Sequence, residues 1–191
     1  MENLVLFLQN TMPVNPNIAR DIAAHFNERS FGKGELFLKE GQVSNEYLFL
    51  ESGCMRSFLY DTEGNEVTMN FFTAQQPVFE VASFFQQIPA EEYLEAVTQS
   101  NGSVISYDKL NYLFHAIPEF REIGRALLVK GFIQFKKRTL SLINKTADER
   151  YKELMRTNPE VFQYASLKHI ASYLGVTDTS LSRIRREFLN K

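Results

Sequence analysis

Between residues 166 and 191 two apolar stripes meet at a glycine. Ile170, Ala171 and Leu174 form the first, Val176, Leu181 and Ile184 the second, and Gly175 lies between them. Thr177 and Asp178 follow, with side-chain oxygens suited to capping a new helix. This spacing predicts two short helices crossing steeply over a tight turn, a helix-turn-helix. Upstream, Leu128, Phe132, Phe135, Thr139 and Leu142 recur at 4-3-4-3 spacing. They form a heptad-like seam on a helix that Pro118 opens and that runs to about Ile143. Leu127, Ile133 and Leu140 lie off the seam, so more than one face is apolar. A face left over after packing on the helix's own domain predicts a dimer element; the plainer alternative is a helix buried wholly within one chain. Thr146 and Glu149 fit a capping box, which starts a fresh helix after a bend at residues 144–145.

The first two-thirds of the chain has another rhythm. Asn17 is placed to cap a short helix with the stripe Ile18, Ile22 and Phe26. From Phe31 onward Gly32, Gly34, Gly41, Gly53 and Gly64 punctuate short runs rich in Leu, Phe, Tyr and Val. These predict strands at residues 36–38, 47–50, 55–60, 67–72, 93–97 and 104–107, with Asp61-Thr62-Glu63-Gly64 as a tight turn. Short strands at such even spacing predict a sandwich or barrel.

Composition narrows the class. The 191 residues are 44% hydrophobic and 23% charged, ordinary for a globular protein with enough chain to bury a core without staples. Cys54 is the only cysteine, which excludes an internal disulfide framework and any multi-cysteine zinc or iron–sulfur site within one chain. It reads as a small buried hydrophobe. His25, His115 and His169 are scattered. No metal and no cofactor is expected. The first ten residues have no basic leading segment and too short an apolar run for a signal or a span. A cytoplasmic protein with no membrane partner is therefore expected. The net charge of −2 hides a split: residues 1–120 carry 6 Lys and Arg against 16 Asp and Glu, and residues 121–191 carry 15 against 7. One end is suited to a polyanion and the other to keeping clear of it; the plainer alternative is that long helices put Lys and Arg on wet faces.

The second helix of the terminal pair has hydroxyls early (Thr177, Thr179, Ser180) and arginines later (Arg183, Arg185, Arg186). Such a face suits phosphate oxygens and the major groove, though a cluster of arginines is also what a solvated helix face looks like.

The order of parts resembles the cyclic-AMP receptor/fumarate-nitrate regulator (Crp/Fnr) family of bacterial transcription factors. FGKGELFLKEGQ (residues 31–42) looks like the family's early strand and turn, YLFLESGCMRSFLYDTEGNEVTMNFF (47–72) like its central hairpins, and VISYDKL (104–110) like the end of its roll. Residues 118–143 resemble its dimer helix and residues 167–188 its helix-turn-helix. The ending IASYLGVTDTSLSRIRREF is similar to a Bacteroidetes-type branch. The resemblance implies an α+β fold. A cyclic-nucleotide-binding-like β-roll of double-stranded β-helix, jelly-roll type would occupy residues 1–117. A dimerisation helix would follow at 118–145 and a helix-turn-helix domain at 146–191, its wing truncated or missing. It implies a homodimer meeting along Leu128, Phe132, Phe135, Thr139 and Leu142, and a palindromic operator in double-stranded DNA. Base-reading positions fall on Asp178, Thr179 and Arg183; Asp178 also has the simpler role of helix cap. Lys168, Thr177, Ser180 and Arg186 are phosphate-contact candidates.

The resemblance breaks at the effector site. Cyclic-nucleotide-binding members hold the cyclic phosphate in a Gly-Glu-Leu turn with an Arg-Ser pair about ten residues on. Counted back from VISYDKL without gaps, these fall on Phe79-Glu80-Val81 and Ala90-Glu91. Phe79 in place of glycine keeps the backbone from a close approach, and Ala90 in place of arginine removes a charge-assisted clamp. Glu91 and Glu92 put carboxylates where a phosphate needs cations. The expectation is a DNA-binding transcription regulator that does not bind cyclic AMP in the usual mode and senses an unknown small-molecule effector. The alternative is a ligand- or protein-binding β-roll that no longer binds DNA. An enzyme of the double-stranded β-helix type, which needs a metal cluster of His and carboxylates, is disfavoured because residues 31–107 contain no histidine.

Overall fold

A computed structural model describes residues 2–11 and 13–189, without the Leu189 side chain. Residues 1, 12, 190 and 191 lie outside the description, and with them the end of the sequence on which the expected lack of a wing rests.

Helices α1 (Glu2–Thr11) and α2 (Pro16–Ala23) precede strand β1 (Asn27–Phe31). The cap of α2 differs from expectation: Asn15, not Asn17, is the N-cap, its side chain accepting from the Asn17 N–H, with Pro16 at the first helical position. Strands β2 (Leu36–Leu38), β3 (Glu46–Ser52), β4 (Met55–Tyr60), β5 (Glu66–Phe72), β6 (Gln76–Val78), β7 (Tyr93–Ala96) and β8 (Ser100–Ser106) follow, with the short helix α3 (Val81–Gln86) between β6 and β7. The last strand begins earlier than the apolar run suggests, and Tyr107 opens α4 (Tyr107–Ala116) instead of ending β8.

Among the described residues the strands form two antiparallel four-stranded sheets, ordered β1-β8-β3-β6 and β2-β7-β4-β5. Phe31, Leu48, Leu50, Val78 and Val104 of the first pack with Leu38, Met55, Leu94 and Ala96 of the second. Burial of these faces drives the sandwich. Gly53, between β3 and β4, has φ +92°, and a Cβ there would meet Ser100 and the Gln99 carbonyl. Only glycine makes that turn. The turn after β4 is tied by Asp61, whose carboxylate accepts from the backbone N–H of Glu63 and Asn65.

Helix α5 (Pro118–Asn144) buries Phe120 and Ile123 against α1, α4 and the roll, in one cluster with Phe49, Phe84 and Leu113. Beyond that its apolar residues reach solvent. Helices α6 (Ala147–Thr157), α7 (Val161–Tyr164), α8 (Leu167–Leu174) and α9 (Asp178–Leu189) complete the chain. The capping box at α6 is present in both halves: the Thr146 hydroxyl accepts from the Glu149 N–H, and the Glu149 carboxylate accepts from the Thr146 N–H. Tyr151, Leu154, Val161, Ile170, Ala171, Leu174, Leu181 and Ile184 form the core of this helical unit, and Cys54, Phe71 and Val97 of the roll belong to the same cluster. Burial, reinforced by the charge of Glu160, pushes the Cys54 thiol up to about 12, so it behaves as a small hydrophobe. No described helix is long and apolar enough to cross a membrane.

Candidate nucleic-acid interface

Ser166 caps α8, its hydroxyl accepting from the His169 N–H at 3.2 Å. The helix ends at Gly175, whose φ of +64° is the left-handed conformation that turns the chain toward α9. The Thr177 hydroxyl accepts from the Ser180 N–H at 3.2 Å and so caps α9. Asp178 lies in the first turn, where its charge meets the positive end of the helix.

Leu181 and Ile184 bury one side of α9. At 100° per residue, Thr179, Arg183 and Arg186 fall within about 60° of one another on the opposite side. All three are exposed, as are Lys168, Thr177 and Asp178; Ser180 is half-buried. Arg183 has a side chain 75% in solvent, with Glu187 as a loose neighbour 4.0 Å away. A guanidinium so presented has the reach and donor geometry to pair bidentately with a guanine edge, and Arg186 beside it to meet a phosphate.

Leu128, Phe132, Phe135, Thr139 and Leu142 are all exposed along α5, with Phe132 at 66% and Phe135 at 64%. Two bare phenyl rings on this stripe make an exposed apolar patch, the kind of surface that suits a partner.

Of the expected effector residues, Phe79, Glu80 and Val81 lie at the start of α3, while Ala90 belongs to the core between the sheets and Glu91 follows it. Glu80 is the N-cap of α3, its carboxylate accepting from the Ala82 and Ser83 N–H groups. The helix start therefore already has an anion of its own. The Phe79 ring packs against Tyr47, Phe84 and Phe85, with centroids 5.1–5.9 Å apart. Val81 and Glu91 are exposed and Ala90 is buried. Glu92, next to this group, is largely withdrawn from water. Burial raises its pKa against a hydrogen bond with Ser57, and the charges of Glu80 and Glu91 raise it further while Arg138 pulls it down.

Arg56 is 3% exposed and held by Glu66 at 2.6 Å and Glu95 at 2.7 Å, its guanidinium 4.1 Å over the Phe58 ring. Burial alone would raise the Glu66 carboxyl, but the hydrogen bond and charge of Arg56, with His169 and Lys168, hold it below the usual range. His169 faces the same cluster, its pKa lowered by burial and by the charge of Arg56.

Three residues that stand out in the structure carry no signal in the sequence. The Arg138 guanidinium donates to the carbonyls of Tyr173 at 2.9 Å and Thr68 at 3.4 Å. The Ser172 hydroxyl accepts from the Thr68 N–H at 2.8 Å and donates to the Glu66 carbonyl at 3.1 Å. Arg150 donates to the carbonyls of Leu174 and Lys145, fixing the end of α8 to the bend after α5.

Residues 28–116 match the family model of the cyclic nucleotide-binding domain. Solved structures share the fold along nearly the whole chain. The c-di-GMP-responsive global regulator CLP of Xanthomonas campestris is 18% identical, with a TM-score of 0.70 and 92% of each chain covered. FixK2 of Bradyrhizobium japonicum is 18% identical, with a TM-score of 0.72, covering 86% of this chain and 85% of its own. The catabolite activator protein of Thermus thermophilus is 15% identical, with a TM-score of 0.61, covering 96% and 87%. No curated protein sequence matches the chain.

Proposed function

We propose, from the match of residues 28–116 to the cyclic nucleotide-binding domain and from the fold shared with solved Crp/Fnr-type regulators, that this chain is a homodimeric, cytoplasmic transcription regulator that reads a two-fold-related site in double-stranded DNA. Residues 1–117 are its sensor roll, 118–145 its dimerisation helix and 146–191 its DNA-binding unit. One observation carries the proposal: Thr179, Arg183 and Arg186 lie in solvent on the side of α9 away from its buried stripe. A helix supported by its neighbour with that side free is what entry into a major groove requires. Pairing two chains through α5 would set two such helices about one DNA turn, roughly 34 Å, apart. The regulators that share the fold support this use of it.

Within the groove, Arg183 is assigned to base reading and Thr179 to a neighbouring base edge. Lys168, Thr177, Ser180 and Arg186 are assigned to phosphates; the cap expected of Asp178 is supplied by Thr177, and Asp178 stands in the first turn of α9 beside it. Glu80 and Phe79 fill the place of an anion and its cradle, so the roll is assigned an unknown effector and not cyclic AMP in the usual mode.

Selection from randomised duplexes tests the proposal. The expected product is a palindrome, and Arg183→Ala should relax preference at one base pair of each half-site, at a cost of about 1–3 kcal/mol. Recovery of no consensus sequence from the wild-type chain would leave a roll that binds ligand or protein alone.

A further inference from the structure

Strand β5 is the outer strand of its sheet, paired with β4 on one side only. Such an edge has free N–H and C=O groups that need partners. Here side chains from two helices supply them. Ser172 of α8 accepts from the Thr68 N–H and donates to the Glu66 carbonyl, spanning the edge as a short piece of neighbouring strand would. Arg138 of α5 donates to the Thr68 carbonyl and, with the same nitrogen, to the Tyr173 carbonyl of α8. Its guanidinium lies 4.1 Å from the centre of the Tyr173 ring, and that ring packs on Phe71 of β5 at 5.2 Å. Thr68 is fully buried as a result.

Arg138 is conspicuous on its own helix. Every residue from 128 to 140 is exposed except Arg138, which is half-buried. An arginine drawn off an otherwise wet stretch into contact with β5 and α8 joins both to its own helix; it does not solvate a face. Meanwhile α9 packs on α6 and α8 and turns Thr179, Arg183 and Arg186 away. The latched arrangement is therefore one in which the groove-facing residues are free.

We infer that Ser172 and Arg138 are positioning residues for DNA recognition: they latch the helix-turn-helix to the edge of β5, so that roll, long helix and recognition helix turn as one body with α9 presented. The inference rests on the regulator function proposed above and names the contacts that set its geometry. It also gives the roll a mechanical route to DNA, since any displacement of the β4–β5 hairpin shifts Thr68 and, through Ser172, α8.

The test compares the wild-type chain with Ser172→Ala and Arg138→Met. Backbone hydrogen exchange is measured without DNA on the segment 66–72 and on α8–α9, and affinity is measured on the duplex the wild type selects, at several salt concentrations. In both variants, exchange should rise on 66–72 while α8–α9 keep their protection. Affinity should fall about tenfold, because a smaller fraction of molecules holds the competent geometry. The slope of log affinity against log salt should not change, because the bound state keeps its phosphate contacts. Unchanged exchange on 66–72 overturns the latch. Raised exchange with wild-type affinity overturns its role in recognition. A slope lowered by about one in Arg138→Met overturns it also, since that marks Arg138 as a phosphate contact. If the wild type selects no duplex, the DNA-reading proposal fails by itself, and the exchange arm alone decides whether the latch exists.

Discussion

Replacing Phe135 with glutamate should split the dimer, and the size of the effect follows from exposure. A phenylalanine side chain presents about 200 Å², so the 64% exposure of Phe135 leaves about 130 Å² open to a partner. At about 25 cal/mol per Å² the ring is worth about 3 kcal/mol when covered. Two-fold symmetry doubles every term, so the two copies of Phe135 contribute about 6 kcal/mol and those of Phe132 about as much again. Association itself costs on the order of 4–15 kcal/mol, so the margin is narrow and the loss of two rings exceeds it. The charge adds to the damage, since two carboxylates near the symmetry axis repel each other and lose water. The dissociation constant should rise by at least about 10⁴-fold. Sedimentation velocity across a micromolar dilution series is the assay: wild type should sediment as a dimer and Phe135→Glu as a monomer with unchanged helix content. A variant that stays dimeric at micromolar concentration would refute the argument and move the interface off this seam.

Two further outcomes follow from the roll. The Glu92 pKa is raised in the folded chain, chiefly by burial. The native state therefore holds a proton that the unfolded chain has released between the ordinary glutamate value and the raised one, and stability falls as pH rises through that window. Glu92→Gln should melt higher than wild type at pH 8, with the gap closing as pH falls to 4; a gap independent of pH, or a less stable variant at pH 8, would show that the carboxylate is not desolvated. Millimolar cyclic AMP should leave the melting temperature unchanged, because a ligand stabilises only in proportion to its binding of the native state; a clear rise would mean that Glu80 gives up the start of α3 to a phosphate.

The parts legible in the sequence are those whose signal is local. The stripe at Ile170, Ala171 and Leu174, the turn at Gly175 and the box formed by Thr146 and Glu149 each specify their own geometry within a few residues. The seam on α5 keeps its spacing because every member lies on one continuous helix, and all five members are exposed there. Elements with a weak apolar signal are not legible. Strand β1 buries only Phe31 of its five residues, so nothing alternates, and its strand form comes from pairing with β8. The cap at Asn15 is masked by Asn17 two residues on, although Pro16 marks the true first position. The interdomain contacts are the least legible of all. Ser172 and Thr68 are 104 residues apart, and a serine within an ordinary helix announces no partner.

The charge split along the chain has a double use that the sequence alone does not separate. Glu66 and Glu95 of the acidic roll bind Arg56 within their own sheet, and Glu66 also feels His169 and Lys168 of α8. Glu92 feels Arg138 across the same junction. Part of the opposite charge on the two ends therefore draws the helical unit onto the roll. Among the described residues, Arg183 and Arg186 show no such engagement with the roll and are exposed, as the proposed contact with a polyanion requires. The two sets differ in how salt reaches them. Exposed charges are screened beyond about 8 Å at physiological ionic strength, while partly buried pairs keep most of their interaction. Salt should therefore weaken the proposed grip of α9 on phosphate far more than it weakens the junction at β5, so the slope of affinity against salt separates a contact with DNA from a contact that only aims the helix.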